Sequence, residues 1–202
     1  MKIFIVTYPF VKNLKELINE YKPNYLIAVD SAVSFVYGEN IPIDLAVGDF
    51  DTLKDKGILK TLNTIELNVM KDETDTEYAI LEALKLKPDE IYLIGGIGGA
   101  RIEHTYANLN YVKRYKKIKL ITDESVISSY GIGTYEFNSN GYFSVFANTD
   151  SVISLKDFLY ELDCYKLDQL STIGISNEVK EKPAKLIVHA GEVLVIETKK
   201  DK

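Results

Sequence analysis

The sequence contains a single cysteine and no tryptophan, and it lacks any long apolar run. With Cys164 as the only cysteine, no disulfide can form within the chain, which is typical of proteins in a reducing compartment. No apolar stretch is long enough to cross a bilayer. The short apolar run at residues 3–6, followed soon by Pro9, predicts a strand and not a signal peptide. We therefore expect a cytoplasmic protein with no membrane-bound segment.

Basic residues are outnumbered by acidic ones. The chain has 24 Lys and Arg against 30 Asp and Glu, which gives a formal net charge of −6. This balance disfavours broad binding to nucleic acid or to an anionic membrane, although it is compatible with a local basic site. At 202 residues the chain can bury a substantial core, either as one large domain or as two small ones.

Strand-like and helix-like segments alternate over residues 1–124. Such alternation predicts a mostly parallel sheet with helices on both faces, which is an α/β domain. A capping arrangement of Asn13 with Glu16 is expected at the first helix. The predicted strands are 3–6, 25–29, 45–47, 64–67, 90–94 and 119–122, and the predicted helices are 13–21, 32–37, 54–62, 75–87 and 103–116.

From about residue 125 the pattern changes to short β-rich runs separated by turn signals. These runs predict a small antiparallel β-sandwich or barrel over residues 125–202. The expected strands are 126–130, 142–147, 151–155, 186–190 and 193–198.

Two carboxylates follow a buried strand in the run Gly48-Asp49-Phe50-Asp51-Thr52. If the strand belongs to a parallel sheet, the aspartates lie at its carboxyl end, where open α/β sheets bind ligands. Carboxylates this close repel each other unless a cation lies between them, and Mg²⁺ takes such ligands together with phosphates. The alternative is an Asx-turn, in which Asp49 or Asp51 bonds its own backbone.

Other polar or flexible segments also lie at strand exits: Asp30, the run Lys71-Asp72-Glu73-Thr74-Asp75, and the glycine loop 95–99. Because the carboxyl ends of parallel strands share one edge, these exits together favour a site more than any one of them does. The run at 71–75 has a structural alternative, since Thr74 with Glu77 forms a capping box. That alternative does not explain why Lys71 and Asp72 are adjacent at a strand exit, where a lysine can contact a phosphate.

The glycine loop does not match the known nucleotide motifs. It lacks the spacing of a Rossmann fingerprint, since Arg101 takes the last position, and no Lys-Ser or Lys-Thr pair follows to make a P-loop. A loop, an arginine and a helix N-terminus still suffice to hold an anion. Glu103 or His104 could then contact the substrate, although a lone histidine is more often an ordinary helix residue. The segment 171–178 is by itself only a polar loop.

Five motifs in order make the chain resemble the thiamine pyrophosphokinase family over nearly its whole length. The last motif, at residues 171–178, is similar to a family loop that ends Gly-Ile-Ser-Asn-Glu. Two positions depart from the family pattern: Ser31 replaces a glycine and Glu103 replaces an aspartate. The other four motifs are Asp30-Ser31-Ala32, residues 42–52 with Gly48-Asp49-Phe50-Asp51-Thr52, Lys71-Asp72-Glu73-Thr74-Asp75, and residues 99–108.

The resemblance implies a three-layer α/β ATP-binding domain, a β-sandwich, and a homodimer in which two subunits share each thiamine pocket. It implies Mg²⁺ as cofactor and ATP and thiamine as substrates. By resemblance the metal ligands are Asp49, Asp51 and Asp75, and the catalytic residues are these three together with Asp72 and Arg101. The resemblance implies that ATP is bound by Asp30, Ser31, Lys71, Thr74, Arg101 and His104. It implies that thiamine is bound by Glu103, Ser176 and Asn177.

The expected reaction is transfer of a diphosphoryl group from ATP to the hydroxyethyl oxygen of thiamine. One aromatic side chain would stack on thiamine, and with no tryptophan in the chain this would be Tyr165 or another tyrosine. Two alternatives stay open at this point. One is a related Mg²⁺-dependent transferase, such as a pterin diphosphokinase or a nucleotide-sugar enzyme, and the other is a non-catalytic thiamine or nucleotide sensor.

Overall fold

A computed structural model describes residues 1–53, 55–68 and 72–200 of the chain. The chain forms two compact units. The first contains residues 1–111 and 117–123, and the second contains residues 112–116 together with the chain from Glu124 onward. In the part of the chain that the structure describes, no helix is both long enough and apolar enough to span a membrane.

The first unit is built on six parallel strands in the order β6-β5-β1-β2-β3-β4. The inner strands are almost entirely buried, as expected for a parallel sheet covered on both faces. This confirms the predicted α/β class. The strands are β1 (Lys2–Thr7), β2 (Tyr25–Val29), β3 (Leu45–Gly48), β4 (Thr64–Glu66), β5 (Glu90–Gly95) and β6 (Ile118–Ile121).

The helices of this unit are α1 (Leu14–Tyr21), α2 (Ala32–Gly38), α3 (Asp75–Lys85) and α4 (Ile102–Arg114). The predicted cap of α1 is wrong, because the Asn13 side chain makes no capping hydrogen bond. The predicted helix 54–62 is a 3₁₀-helix at Lys56–Thr61, which begins where the Asp55 carboxylate accepts the Gly57 N–H. Glycine at the second position of so short a segment disfavours a full α-helix.

Strands are added to the sheet on one side of β1 first and then on the other side, so the order changes between β1 and β5. From β1 the chain builds outward through β2, β3 and β4, and it then returns to place β5 and β6 on the other side of β1. At such a reversal the loops leaving the two neighbouring strands diverge and open a crevice at their carboxyl ends. The order of the strands therefore places a ligand site beyond the ends of β1, β2 and β5.

The second unit is a sandwich of two antiparallel sheets, in the strand orders β12-β9-β14-β7 and β11-β10-β13-β8. Residues from both sheets, among them Phe143, Leu155 and Leu186, form one hydrophobic core. The strands are β7 (Ser125–Tyr130), β8 (Gly133–Phe137), β9 (Tyr142–Ala147), β10 (Ser151–Lys156), β11 (Leu162–Leu167), β12 (Asn177–Glu178), β13 (Ala184–Ala190) and β14 (Val193–Thr198). The sequence prediction found neither β8 nor β11, nor the two-residue strand β12.

Candidate active site

Three carboxylates converge where β2 and β3 end. Asp30, Asp49 and Asp51 each offer one oxygen atom, and these three atoms lie within 4.8 Å of one another. Asp30 follows β2 directly, while Asp49 and Asp51 follow its neighbour β3. The predicted pair of aspartates thus gains a third member from the adjacent strand exit.

Gly48 allows the two strand exits to approach each other. The Asp30 N–H donates to the carbonyl oxygen of Val47 at 2.8 Å, which brings the backbone of Asp30 against Gly48. A Cβ atom at position 48 would lie 3.0 Å from the Cα atom of Asp30, closer than such atoms normally pack. Glycine at this position therefore makes room for Asp30 beside the aspartates that follow β3.

Phe50 fixes the turn that carries Asp49 and Asp51. Its side chain is buried in the core, yet its φ of 54° lies in the left-handed region, which is rare for a bulky residue. The turn also contains the predicted Asx hydrogen bond, since the Asp51 N–H donates to Oδ1 of Asp49 at 3.2 Å. The predicted Asx-turn is therefore present, and the role of Asp49 and Asp51 as metal ligands stays a prediction.

The surroundings of Asp30 disfavour its charged carboxylate form. Its pKa is raised because the group is partly buried, and the neighbouring Asp49 and Asp75 carboxylates raise it further. Hydrogen bonds from the Ser31 backbone and from the hydroxyl of Thr52, which lies 3.0 Å from Oδ2, oppose this shift. A cation placed among the carboxylates would remove the repulsion.

The donor set fits a hard divalent cation. Three carboxylate oxygens can hold Mg²⁺, which prefers oxygen ligands and completes its coordination with phosphate and water. A bound cation would also offset the smaller, repulsive part of the upward pKa shift of Asp30, whose main cause is burial.

A cavity of about 380 Å³ opens at the same edge of the sheet. Its walls come from the ends of β1 and β2, the start of α3 and the loop after β5, as the strand order requires. Of the residues predicted from the sequence, it brings together Asp30, Ser31, Thr74, Asp75, Arg101 and His104. Asp75 lies on this wall and affects the pKa of Asp30, but it is not a member of the three-carboxylate group.

The other predicted residues of this unit that the structure describes do not line the cavity. Among them, Asp49 and Asp51 lie beside its Asp30 in the three-carboxylate group. Asp72 and Glu103 are exposed and are not among the residues that line the cavity. Lys71 lies outside the described residues. The lining residues that the sequence prediction missed include Thr7 and Tyr8, although their position at the end of the central strand β1 was a usable signal.

The loop after β5 is held tightly against its surroundings. Gly95 has a φ of 85°, and a Cβ atom there would lie 2.2 Å from the carbonyl oxygen of Pro9, so only glycine fits. The Asn108 amide donates to the carbonyl oxygen of Gly96 at 2.8 Å, and the Thr105 hydroxyl accepts the Gly98 N–H at 2.8 Å. These contacts hold the loop so that Arg101 follows it at a defined place on the cavity wall.

Thr74 begins helix α3 on this wall. Its hydroxyl accepts the Glu77 N–H at 3.1 Å, which confirms the predicted cap, and it also lies 3.0 Å from the Tyr111 hydroxyl. We expect Thr74→Ala to lower the free energy of unfolding by about 1 kcal/mol, because the helix loses this cap. Urea unfolding followed by circular dichroism measures the change. Thr74→Ser is the matched control and should stay close to wild type; equal losses in both variants would contradict a capping role.

Ser176 and Asn177 lie in the second unit, where the loop after β11 ends and β12 begins. Asn177 is 1% exposed, and its amide bonds both backbone groups of Tyr160: Oδ1 accepts the N–H at 3.1 Å, and Nδ2 donates to the carbonyl oxygen at 2.7 Å. These bonds give Asn177 a structural role. Ser176 is exposed, and its N–H donates to the hydroxyl of Ser144 at 3.0 Å.

The residue that Asn177 holds in place is itself an exposed aromatic. The Tyr160 side chain is 72% exposed although its backbone is fixed on both sides. Tyr165, in contrast, packs against the hydrophobic core of the sandwich. An aromatic ring that is open to solvent and carried by a fixed backbone is suited to stacking on a ligand.

Comparison with known proteins agrees with this geometry. Residues 14–122 match the family model described as "Thiamin pyrophosphokinase, catalytic domain", and residues 134–192 match "Thiamin pyrophosphokinase, vitamin B1 binding domain". The chain is 30% identical over 152 residues to a protein of Bacillus subtilis (strain 168) named thiamine pyrophosphokinase, and the match covers 69% of this chain and 70% of that protein.

Solved structures show the same fold. A crystal structure of a thiamin pyrophosphokinase family protein from Enterococcus faecalis is 26% identical, with a TM-score of 0.85 and 99% of each chain covered. The crystal structure of thiamine pyrophosphokinase from Bacillus subtilis is 23% identical and is similar in fold, with a TM-score of 0.86 and 100% of each chain covered. The resemblance noted in the sequence motifs is confirmed, and the chain belongs to the thiamin pyrophosphokinase family.

Proposed function

We propose that Asp30, Asp49 and Asp51 hold the Mg²⁺ ion with which this enzyme acts. As a member of its family the chain is a thiamine diphosphokinase, which converts ATP and thiamine into AMP and thiamine diphosphate. The observation that supports the metal assignment is the convergence of the three carboxylates from two neighbouring strand exits. Asp75, predicted as a metal ligand from the family motif, lies on the cavity wall, and its role as a ligand stays a prediction.

The reaction requires positioning more than a strong base. The hydroxyethyl oxygen of thiamine attacks the β-phosphorus of ATP, the bond from that phosphorus to the bridging oxygen of AMP breaks, and the hydroxyl proton is released. When bound, the divalent cation neutralises charge on the phosphate oxygens and aligns them. Asp72, which the resemblance implies as a catalytic residue, is exposed and does not line the cavity, and its role stays a prediction.

Arg101 is the candidate for fixed positive charge at the phosphates. Its side chain is 73% exposed and pairs with the Glu103 carboxylate, Nε to Oε1 at 3.2 Å. An exposed ion pair of this kind is weak, so phosphate can replace Glu103 as the partner at little cost. We therefore propose that Arg101 turns to the phosphates when ATP binds. Glu103 would then be released toward the second substrate, in line with its predicted contact with thiamine.

Thiamine binding is proposed for the second unit, through Ser176 and the ring of Tyr160. Asn177 would support this site by fixing the backbone of Tyr160.

Exposed apolar side chains of the loop before β12, at Leu170, Ile173 and Ile175, favour an association with a second copy of the chain. We propose a homodimer whose subunits share each active site. The free thiol of Cys164 is consistent with the cytoplasm as its compartment.

The proposal predicts products that depend on both substrates and on the metal. In the presence of Mg²⁺, ATP and thiamine, AMP and thiamine diphosphate should form in equal amounts, and a chelator should stop the reaction. Chromatographic assay of both products measures this. AMP formation with a pterin alcohol but not with thiamine would contradict the substrate, and tight thiamine binding without AMP formation would contradict the catalytic role.

A further inference from the structure

Two buried threonines on the cavity wall share a hydrogen bond. Thr7 ends β1 and Thr76 lies in the first turn of α3, and their hydroxyl oxygens are 3.1 Å apart. Thr7 is 6% exposed and Thr76 is 8% exposed, yet both line the cavity. Neither belongs to the three-carboxylate group or to the ion pair of Arg101 with Glu103.

The pair contains one proton more than its hydrogen bond uses. A hydroxyl group carries one donor proton and two acceptor lone pairs. Whichever threonine donates to the other, the second hydroxyl keeps its proton, and no group within residues 1–53, 55–68 and 72–200 accepts it. A buried donor without an acceptor costs free energy. Because both residues line the cavity, an acceptor held there would remove this cost.

The position of Thr7 in the sheet shows where this spare proton lies. Strands β1 and β2 pair as far as Val6 and Ala28, so Thr7 lies level with the residue before Asp30. A Cβ atom at Gly96 would lie 2.9 Å from Cγ2 of Thr7, so the methyl group of Thr7 faces the loop after β5. Its hydroxyl faces α3. The pair therefore lies between that loop and the strand exit that carries Asp30.

The chemistry of this wall favours a phosphate oxygen as the acceptor. Phosphate oxygens only accept hydrogen bonds, whereas the hydroxyl groups of ribose and thiamine also donate them. The wall includes Arg101, and Thr76 lies in the N-terminal turn of α3, where the helix dipole favours negative charge. We propose that the pair of Thr7 and Thr76 donates a hydrogen bond to a phosphate oxygen of ATP. This inference rests on the proposed binding of ATP beside the three carboxylates.

Binding of α,β-methylene ATP in the presence of Mg²⁺ tests the pair, because this analogue cannot be cleaved at the reacting bond and needs no thiamine. Isothermal titration calorimetry of the full-length protein measures the affinity. The double variant Thr7→Val with Thr76→Val keeps the shape of both side chains, and replacing both partners of a hydrogen bond in this way is nearly neutral for stability. Since a hydrogen bond to a charged group is lost, we expect the affinity to fall about tenfold or more.

Further variants separate ligand binding from a structural role. Thr76→Ser keeps the hydroxyl and should keep the wild-type affinity. Thr198→Val breaks a hydroxyl pair of the second unit, in which Oγ of Ser125 and Oγ1 of Thr198 lie 2.9 Å apart, and should also leave the affinity unchanged. Because the two threonines supply one hydrogen bond together, the losses in Thr7→Val and Thr76→Val should not add up in the double variant.

Unchanged affinity in the folded double variant would overturn the proposal and leave the pair with the role of joining β1 to α3. An equal loss in Thr76→Ser and in the double variant would overturn it as well, because serine retains the donor. Circular dichroism shows whether each variant is folded. Failure of the wild type to form AMP and thiamine diphosphate would contradict the proposed reaction alone, since binding of the analogue does not depend on thiamine.

Discussion

Asp51→Asn is expected to lower the rate of AMP formation by about a hundredfold or more, the scale found when one group that stabilises transition-state charge is removed. The substitution removes one of three carboxylates from the proposed cation site. It should leave the fold intact, because Asp51 is exposed and the hydrogen bond of its turn uses its backbone N–H and the side chain of Asp49. Product assay at saturating ATP and thiamine measures the loss, and thermal unfolding tests the fold.

The cause of the loss can be tested by varying the metal. If Asp51 is a ligand, the Mg²⁺ concentration that gives half-maximal rate should rise in the variant, and the rate should partly recover at high Mg²⁺. Asp150→Asn removes the same charge from an exposed position of the second unit and serves as the control. A near-normal rate in Asp51→Asn, or a large loss without any change in Mg²⁺ dependence, would refute the assignment.

Much of this site could be predicted from the sequence because strand exits are visible in it. A buried strand followed at once by acidic residues marks both Asp30 and the pair Asp49 and Asp51, and parallel strands bring such exits to one edge. The membership of Asp30 in the carboxylate group could not be predicted. It depends on the left-handed backbone of Asp30 and on the close approach to Gly48, which arise only when β2 and β3 pair.

The two longer strands that the prediction missed share a physical origin. The strands β8 and β11, which the prediction missed, are the two edges of their sheet, and most of their side chains are partly or fully exposed. Each of these strands has only one buried residue, Phe137 in β8 and Leu167 in β11, so neither contains the buried apolar run by which a strand is recognised. The cap predicted at Asn13 failed for a different reason, since the sequence gives the residue type but not the backbone conformation that a cap needs.

The loop at residues 171–178 shows how a motif residue can act on a distant part of the chain. Ser176 and Asn177 were predicted to bind thiamine directly, and that stays a prediction. In the structure the Asn177 amide is buried and used by the backbone of Tyr160, which is 17 residues away along the chain. No local pattern in the sequence relates these two residues. The exposed ring that results could be found only from the fold.

Tyr160→Ala is therefore expected to raise the KM for thiamine by about tenfold to a hundredfold with little change in stability. Thiamine carries a cationic thiazolium and an aminopyrimidine, and stacking of such rings on an aromatic side chain contributes about 1–3 kcal/mol. The KM for ATP should not change. Tyr165→Ala is the matched control and should instead lower the free energy of unfolding, because that ring packs on the core. If Tyr165→Ala raised the KM for thiamine and Tyr160→Ala did not, the two roles would be exchanged.

A mixture of the Asp51→Asn and Tyr160→Ala variants tests whether two subunits share each site. Asp51→Asn damages the first unit and Tyr160→Ala the second, so each variant alone should be slow at low thiamine concentration. If the sites are shared, a mixed dimer contains one site with both defects and one with neither. With random exchange of subunits half of the dimers are mixed, and activity should recover to about a quarter of wild type. If each site lies within one subunit, mixing the variants will restore nothing, and the proposed shared site will be wrong even where both single variants behave as expected.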